Sequence, residues 1–292
     1  MLSPEFQSKL EHFRIQCRKP FRGKFRGERR SLNRGTGLEF ADYRLYKHGD
    51  DLRYLDWNAY ARLEKLYIKL FQADEELPIS ILIDTSQSMA FGDPTKLNYA
   101  KRLAEALGYI ALANSDRVTL YTLSDRLNHT LPTIYGKSQY SRLQKAIATI
   151  KVGGTTQLST CLKQLATSQP QASVVIILSD YLSSEGYIDG INALTGRGFA
   201  LTLIHIQCTE EIEPPPMGEW RLEDAETGET KEITINEETV AHFQKRNKEF
   251  CQDLSRFCTE KGIGYDRIST DISIETMVLE NLQHLCVIQR KY

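Results

Sequence analysis

The chain has 292 residues, 41% of them hydrophobic and 26% charged, a globular composition with room for about two domains at roughly 150 residues each. Its 37 Lys and Arg stand against 38 Asp and Glu for a formal charge of -1, so the molecule as a whole is no electrostatic trap for nucleic acid or anionic membrane. The longest apolar stretches, such as Val174 to Leu178, reach strand length and fall far short of the ~20 residues that span a bilayer, which excludes a membrane-spanning helix.

The amino terminus, MLSPEFQSKLEHFRIQCRK, scatters charges and offers no apolar run before a small-residue cleavage site, so it predicts a cytoplasmic protein without a secretory leader. Cysteine usage agrees: Cys17, Cys161, Cys208, Cys251, Cys258 and Cys286 form no C-x-x-C pair, and the six His form no H-E-x-x-H, so zinc is not expected. Cys251 and Cys258, two helical turns apart, read as small core residues.

Residues 1–34 are locally basic, with Arg14, Arg18, Lys19, Arg22, Lys24, Arg26, Arg29, Arg30 and Arg34 opposed by Glu5, Glu11 and Glu28. Phe21 and Phe25 interleave with the cations as stacking groups would in a nucleic-acid arm. The acidic neighbourhood of Glu39, Asp42, Asp50, Asp51 and Asp56 makes pairing within the chain the simpler account. Arg44, Arg53 and Arg62 are expected to satisfy Asp50, Asp51 and Asp56 in a buried ion-pair network that includes Trp57. Residues 1–76 thus read as a basic arm and small extension packed on a core, and 77–292 as the core domain with a hairpin inserted at about 217–235.

From Leu77 onward strands alternate with amphipathic helices, the pattern of an α/β fold with a mostly parallel sheet covered on both faces. Pro78 to Ile83 reads as a buried strand; Asp93-Pro94 as the cap of a helix with Leu97, Ala100, Leu103, Leu107 and Ile110 on one stripe. Arg117 to Leu123 reads as a strand and Arg126 to Pro132 as its short hairpin partner. Helices are expected around Tyr140 to Ile150, Leu158 to Leu165 and 184–195, and strands over Ser173 to Leu178 and Phe199 to Ile206. A hairpin follows over Gly218 to Ile235 with its turn at Thr227-Gly228. Asn236 caps a long helix, with Val240, Phe243, Phe250, Leu254 and Phe257 as its buried stripe and Gly262 as its stop. Ile263 to Ile268 and Ser273 to Leu285 close the chain as strand and helix.

Ligands of open parallel sheets bind beyond the carboxyl ends of the strands, and three loops there carry oxygen ligands. Asp84, Ser86 and Ser88 follow the first strand at alternate positions; Gly153-Gly154-Thr155-Thr156 joins two helices, its glycines permitting a sharp turn; Asp180 follows the apolar strand. Two carboxylates with the hydroxyls of Ser86, Ser88 and Thr155 make a hard donor set suited to Mg2+ or Mn2+, with Ca2+ a further hard cation, rather than Zn2+.

D-T-S-Q-S at 84–88, G-G-T at 153–155 and S-D at 179–180 resemble the metal-ion-dependent adhesion site of von Willebrand factor type A domains, which implies a Rossmann-type fold and Asp84, Ser86, Ser88, Thr155 and Asp180 as metal ligands, with Thr156 a second choice. That family's third loop usually reads Asp-Gly, and Tyr181 replaces the Gly here. G-x-G-x-E-F at 35–40, Arg44-x-Tyr46-x-x-Gly49-Asp50-Asp51, Asp56-Trp57 with Ala61-Arg62, and D-A-E-T-G at 224–228 resemble the bacterial "domain of unknown function fifty-eight" family. This second resemblance, over residues 30 to 285, implies a metal-dependent adaptor or co-chaperone working with a MoxR-type AAA+ ATPase, as members often lie beside such ATPases. Many members carry membrane helices ahead of this region.

Enzyme readings fare less well. Asp84 sits where a haloacid-dehalogenase-like phosphatase keeps its nucleophile, but Ser86 replaces the second acid. Gly136-Lys137-Ser138 resembles the end of a Walker A loop whose first Gly is Leu131, and no G-x-S-x-G elbow occurs. No Lys, His or further Asp for phosphoryl or acyl chemistry is expected beside the five donors. A non-enzymatic module that captures a partner's Asp or Glu on its bound cation is therefore the expectation.

Overall fold

The computed structural model describes residues 2–16, 30–31, 39–48, 50–74, 76–155, 157–213, 217–223, 230–284 and 287–291. They divide into two compact units, Met1–Arg18 with Leu77–Tyr292, and Lys19–Glu76. The first residues of the chain thus group with the sheet. Helix α1 (Pro4–Leu10) has Ser3 as its cap, Oγ accepting from Phe6 N at 3.2 Å, and strand β1 (Phe13–Ile15) pairs with a strand at the far end of the chain, Ile288–Arg290.

In the smaller unit, β2 (Arg30–Ser31) and β3 (Glu39–Leu45) flank β4 (Tyr67–Asp74), both antiparallel to it, and α2 (Trp57–Leu63) is inserted between β3 and β4. Asp56 starts α2 by accepting from Asn58 N and Ala59 N, and Glu64 ends it in the left-handed conformation.

The larger unit follows the alternation read from the sequence. Strand β5 (Pro78–Asp84) leads to α3 (Lys96–Ala113), then β6 (Arg117–Leu123) and β7 (Leu127–Tyr135) form a hairpin, and α4 (Tyr140–Thr149) and α5 (Leu158–Ser168) precede β8 (Val174–Ser179). After α6 (Ile188–Gly196) and β9 (Ala200–Gln207) come the short α7 (Thr209–Ile212), the hairpin arms β10 (Gly218–Glu223) and β11 (Thr230–Ile235), the long α8 (Glu237–Lys261), β12 (Gly264–Ser269) and a helical run from Ile274 to His284. The expected Thr227-Gly228 turn lies outside the described residues. So does Thr156.

The central sheet has the order β12-β9-β8-β5-β6-β7, with every neighbour parallel except the β6–β7 hairpin. Numbered within the sheet this is the doubly wound order 3-2-1-4-5-6, whose direction of winding reverses between β5 and β8. Adjacent strand residues face opposite sides, so the sheet needs apolar cover on both. Leu82, Val175, Ile177, Leu201 and Leu203 pack against Leu162 of α5, Leu194 of α6 and Leu254 of α8. The other face meets α3, whose Gly108 makes room for α4: a Cβ there would stand 2.3 Å from Leu143 of α4.

Several boundaries differ from expectation for identifiable reasons. Thr95 rather than Asp93 caps α3, its hydroxyl accepting from Asn98 N at 3.3 Å, which leaves Asp93-Pro94 in the preceding turn. Strand β7 continues through Pro132 because it is an edge strand and its register slips opposite Val118 to Tyr121, where no ladder donor is required of the imino nitrogen. Gly186, at φ 69°, closes a turn at Ser183–Gly186, so α6 begins at Ile188. In α8 the buried face is Cys251, Leu254 and Cys258, whereas Phe243 of the expected stripe is 41% exposed.

Candidate functional site

Asp84 ends β5 and Asp180 follows β8, so the two acids flank the point where the sheet's winding reverses. Asp84 is 1% exposed; its Oδ1 accepts from Ser86 N at 2.9 Å and its Oδ2 from Ser179 Oγ at 2.6 Å. The first bond turns the chain back over the strand end and brings Ser86 Oγ within 3.0 Å of Ser88 Oγ. The glycine loop is bound to the same turn through the backbone: Gly153 N donates to Thr85 O at 2.8 Å and Gln87 N to Gly154 O at 3.2 Å. Gly154, at φ 84°, takes a conformation that a side chain would oppose. Ser86 and Asp180 are buried, Ser88 is half-buried and Thr155 is exposed, so the candidate donors run from the buried sheet edge to the surface.

Tyr181 is where the family pattern has Gly, and the backbone there does take φ 58°. A bulky residue in this region costs about 1–2 kcal/mol. The ring is 2% exposed against His205, its hydroxyl donates to Ile177 O at 3.0 Å, and Tyr181 N donates to Ser179 Oγ at 2.9 Å. Burying ~150 Å² of ring at ~25 cal/mol per Å² contributes about 4 kcal/mol, which exceeds that strain. The loop therefore keeps its shape without the glycine.

Sequence reasoning missed the cation beside Asp180. Lys96, the first residue of α3, is fully buried, and its Nζ is 2.7 Å from Asp180 Oδ2 while also pairing with Glu211 of α7. Asp180 Oδ1 accepts from Leu182 N at 3.1 Å, and Glu211 Oε2 from Cys208 N at 3.1 Å. A Lys in the first turn of a helix reads as solvated, and 84 and 115 residues separate it from its partners, so no local signal marks it. The expectation that no Lys stands beside the donors is corrected.

Charge at the sheet edge is unevenly settled. Burial, and after it the negative charge of Asp180, pushes the Asp84 pKa up to about 6 in spite of the hydrogen bonds from Ser179 and Ser86. Burial is also the largest influence on Lys96 and pulls its pKa down, but Asp180 and Glu211 outweigh it and hold the ammonium above its ordinary value.

The donor chemistry fits a hard divalent cation. Adjacent ligands of an octahedral Mg2+ with bonds of ~2.1 Å stand ~3.0 Å apart, the separation of the Ser86 and Ser88 hydroxyls. Among the described residues no three His, Cys, Asp or Glu side chains form a metal-binding group.

The other candidates are placed as follows. Arg44 pairs with buried Asp50 at 2.9 Å, and Arg53 with Asp51 at 2.7 Å on the surface rather than in a buried network. Asp56 caps α2 and accepts from Tyr43 Oη at 2.8 Å, Arg62 Nε donates to Asn58 O, and Trp57 is 63% exposed. Arg14 donates to Gln289, while the rest of the basic segment up to Arg29, with Arg34, lies outside the described residues. Lys137 of the Walker-like triplet pairs with Glu11 at 2.6 Å and lies over the Tyr109 ring. Cys161, Cys208, Cys251 and Cys258 are free and buried, and no helix among the described residues is long and apolar enough to cross a membrane.

An uncharacterized protein of Mycobacterium bovis is 24% identical over 271 residues, covering 91% of this chain and 84% of its own. Among solved structures, BatB from Bacteroides thetaiotaomicron is similar at 16% identity and a TM-score of 0.46, over 72% of this chain and 98% of that one. A von Willebrand factor type A protein from Catenulispora acidiphila is similar at 12% identity and a TM-score of 0.41, over 74% of this chain and 43% of that one. Residues 42–251, most of the chain, match the family described as Protein of unknown function DUF58, and the chain belongs to that family.

Proposed function

We propose that this protein is a non-enzymatic, metal-dependent interaction module, an adaptor or co-chaperone of a MoxR-type AAA+ ATPase. Asp84, Ser86, Ser88, Thr155 and Asp180 would hold Mg2+ or Mn2+. The observation that carries this reading is the pair of Ser86 and Ser88 hydroxyls, 3.0 Å apart above buried Asp84 at the sheet's switch point. When bound, a divalent cation short of anionic ligands supplies a positive open position that a partner's Asp or Glu completes. The chain's own residues support that reading: Ser179 orients Asp84, and the Gly153-Gly154 loop that precedes Thr155 is hydrogen-bonded to the turn after Asp84. The resemblance implies that family members often lie beside MoxR-type AAA+ ATPases, and this supports the choice of partner.

Lys96 favours a second reading, a Mg2+-dependent phosphatase with Asp84 as nucleophile, because it adds a cation of the kind phosphoryl transfer uses. It ranks lower because both Asp84 oxygens accept hydrogen bonds in a buried pocket and Ser86 stands where a general acid would. Calorimetric titration with Mn2+ tests the first reading: Asp84→Ala with Asp180→Ala must abolish binding in a protein that keeps its circular dichroism, and the partner complex must dissolve in EDTA. Steady Mg2+-dependent release of phosphate from generic esters, lost in Asp84→Asn, would establish the second.

A further inference from the structure

We infer that Lys96 is an internal competitor for the metal site: it holds Asp180 by its ammonium, and an incoming divalent cation has to share or take over that carboxylate, with Glu211 receiving the lysine. This rests on the metal-binding reading above and adds the determinant of its affinity. Lys96 has no exposed side-chain surface and Asp180 has 2%, so little solvent screens the charge between them. Lys96 pairs with both Asp180 and Glu211, and its ammonium therefore cancels part of the negative field that a cation would otherwise meet. Lys96 is anchored by its backbone at the start of α3, with Lys96 N donating to Phe91 O at 3.0 Å, whereas its amine is free to divide between two carboxylates.

Glu211 makes the competition adjustable. It stands on α7, and its backbone oxygen accepts from Asn247 of α8 at 3.0 Å, while Asn247 in turn accepts from Gln207 at the end of β9. A shift of Lys96 toward Glu211 on metal binding would therefore be felt in α7 and its attachment to α8, away from the loops that hold the cation.

Three variants read this out by opposite signs in a Mn2+ titration of the full chain. Lys96→Met keeps most of the apolar stem and removes the charge, and should tighten Mn2+ binding about tenfold or more, since cation affinity in oxygen sites follows the net ligand charge. Glu211→Gln removes the acceptor that draws Lys96 away, and should weaken binding about threefold to tenfold by the same rule. Lys96→Met with Glu211→Gln avoids leaving a second unpaired acid and keeps the test open if the single variant fails to fold; it restores the wild-type net charge while freeing Asp180, so it is compared with its Lys96-bearing parent Glu211→Gln and should bind tighter than that parent. In wild type, Mn2+ should also alter amide exchange at Thr209–Ile212, and in Lys96→Met it should not. A purely structural Lys96 predicts equal or weaker binding in every folded Lys96 variant, and that result overturns the inference while leaving the metal site standing. Absence of Mn2+ binding in wild type and all three variants overturns the metal site itself, and this inference with it.

Discussion

Asp50, Asp51 and Asp56 of the smaller unit and Asp84 and Asp180 of the sheet edge are all loop carboxylates in polar stretches of sequence, yet their surroundings differ in kind. The first group is met by guanidinium groups, helix-capping N–H donors and a phenol, partners that favour the ionised form and tie the chain together. At the sheet edge burial, and after it the nearby charge of Asp180, raises the pKa of Asp84, and the Lys96 ammonium pairs with Asp180 and Glu211 instead. Acids that hold a fold are paired with donors from their own neighbourhood. An acid whose charge opposes the fold marks a candidate functional site.

The sharpest break of this contrast is Asp84→Asn. At pH 8 in chelator it should raise the unfolding free energy by about 2–3 kcal/mol, the linkage value of a carboxyl lifted roughly 2 pH units, and it should abolish stabilisation by Mn2+ in thermal denaturation. A loss of stability would place Asp84 with the structural acids.

The same group gives a pH signature. Its folded pKa, about 6, lies above the ordinary 3.8, so between these values the folded chain keeps a proton that the unfolded chain has released. Its contribution is therefore neutral below about 4, grows unfavourable as pH rises through the window, and is fully unfavourable above about 6. Chelated wild type compared with Asp84→Asn should lose ground over that range, and Mn2+ affinity should fall as pH drops below about 6. Parallel stability curves for the two proteins would remove the contrast.

In the smaller unit, Asp56→Ala removes the cap of α2 and should cost about 1–2 kcal/mol locally, read as faster hydrogen exchange at Asn58 and Ala59. Arg53→Ala should be the weakest change, with no measurable shift in melting temperature, because its pair with Asp51 is solvent-exposed.

Asp84, Ser86, Ser88 and Asp180 were legible because a buried strand ending in polar residues is a local pattern, and sheet topology alone carries two such ends to one place. The mostly parallel sheet covered on both faces followed from the alternation of elements, whereas the strand order was not read from the sequence. Lys96 and Glu211 were not legible, since a buried ion pair over such separations is fixed only by three-dimensional packing. Residues 4–15 likewise gave no hint of their place in the larger unit: β1 is short, and its partner Ile288–Arg290 lies at the other end of the chain. The buried face of α8 was misjudged because apolar periodicity reports which residues could be covered and not how far along the helix the cover extends; Phe243 lies before it begins.

The Pro132 irregularity in β7 has a bearing on how partners bind. One common mode of recognition lets an extended peptide continue a sheet by pairing with its outermost strand, and such an edge also invites self-association into larger aggregates. At β7 the guest would meet a position without an N–H and a ladder whose register has slipped against β6. Strand addition at the β7 edge would be interrupted midway, whereas the opposite edge of the sheet, β12, carries no proline.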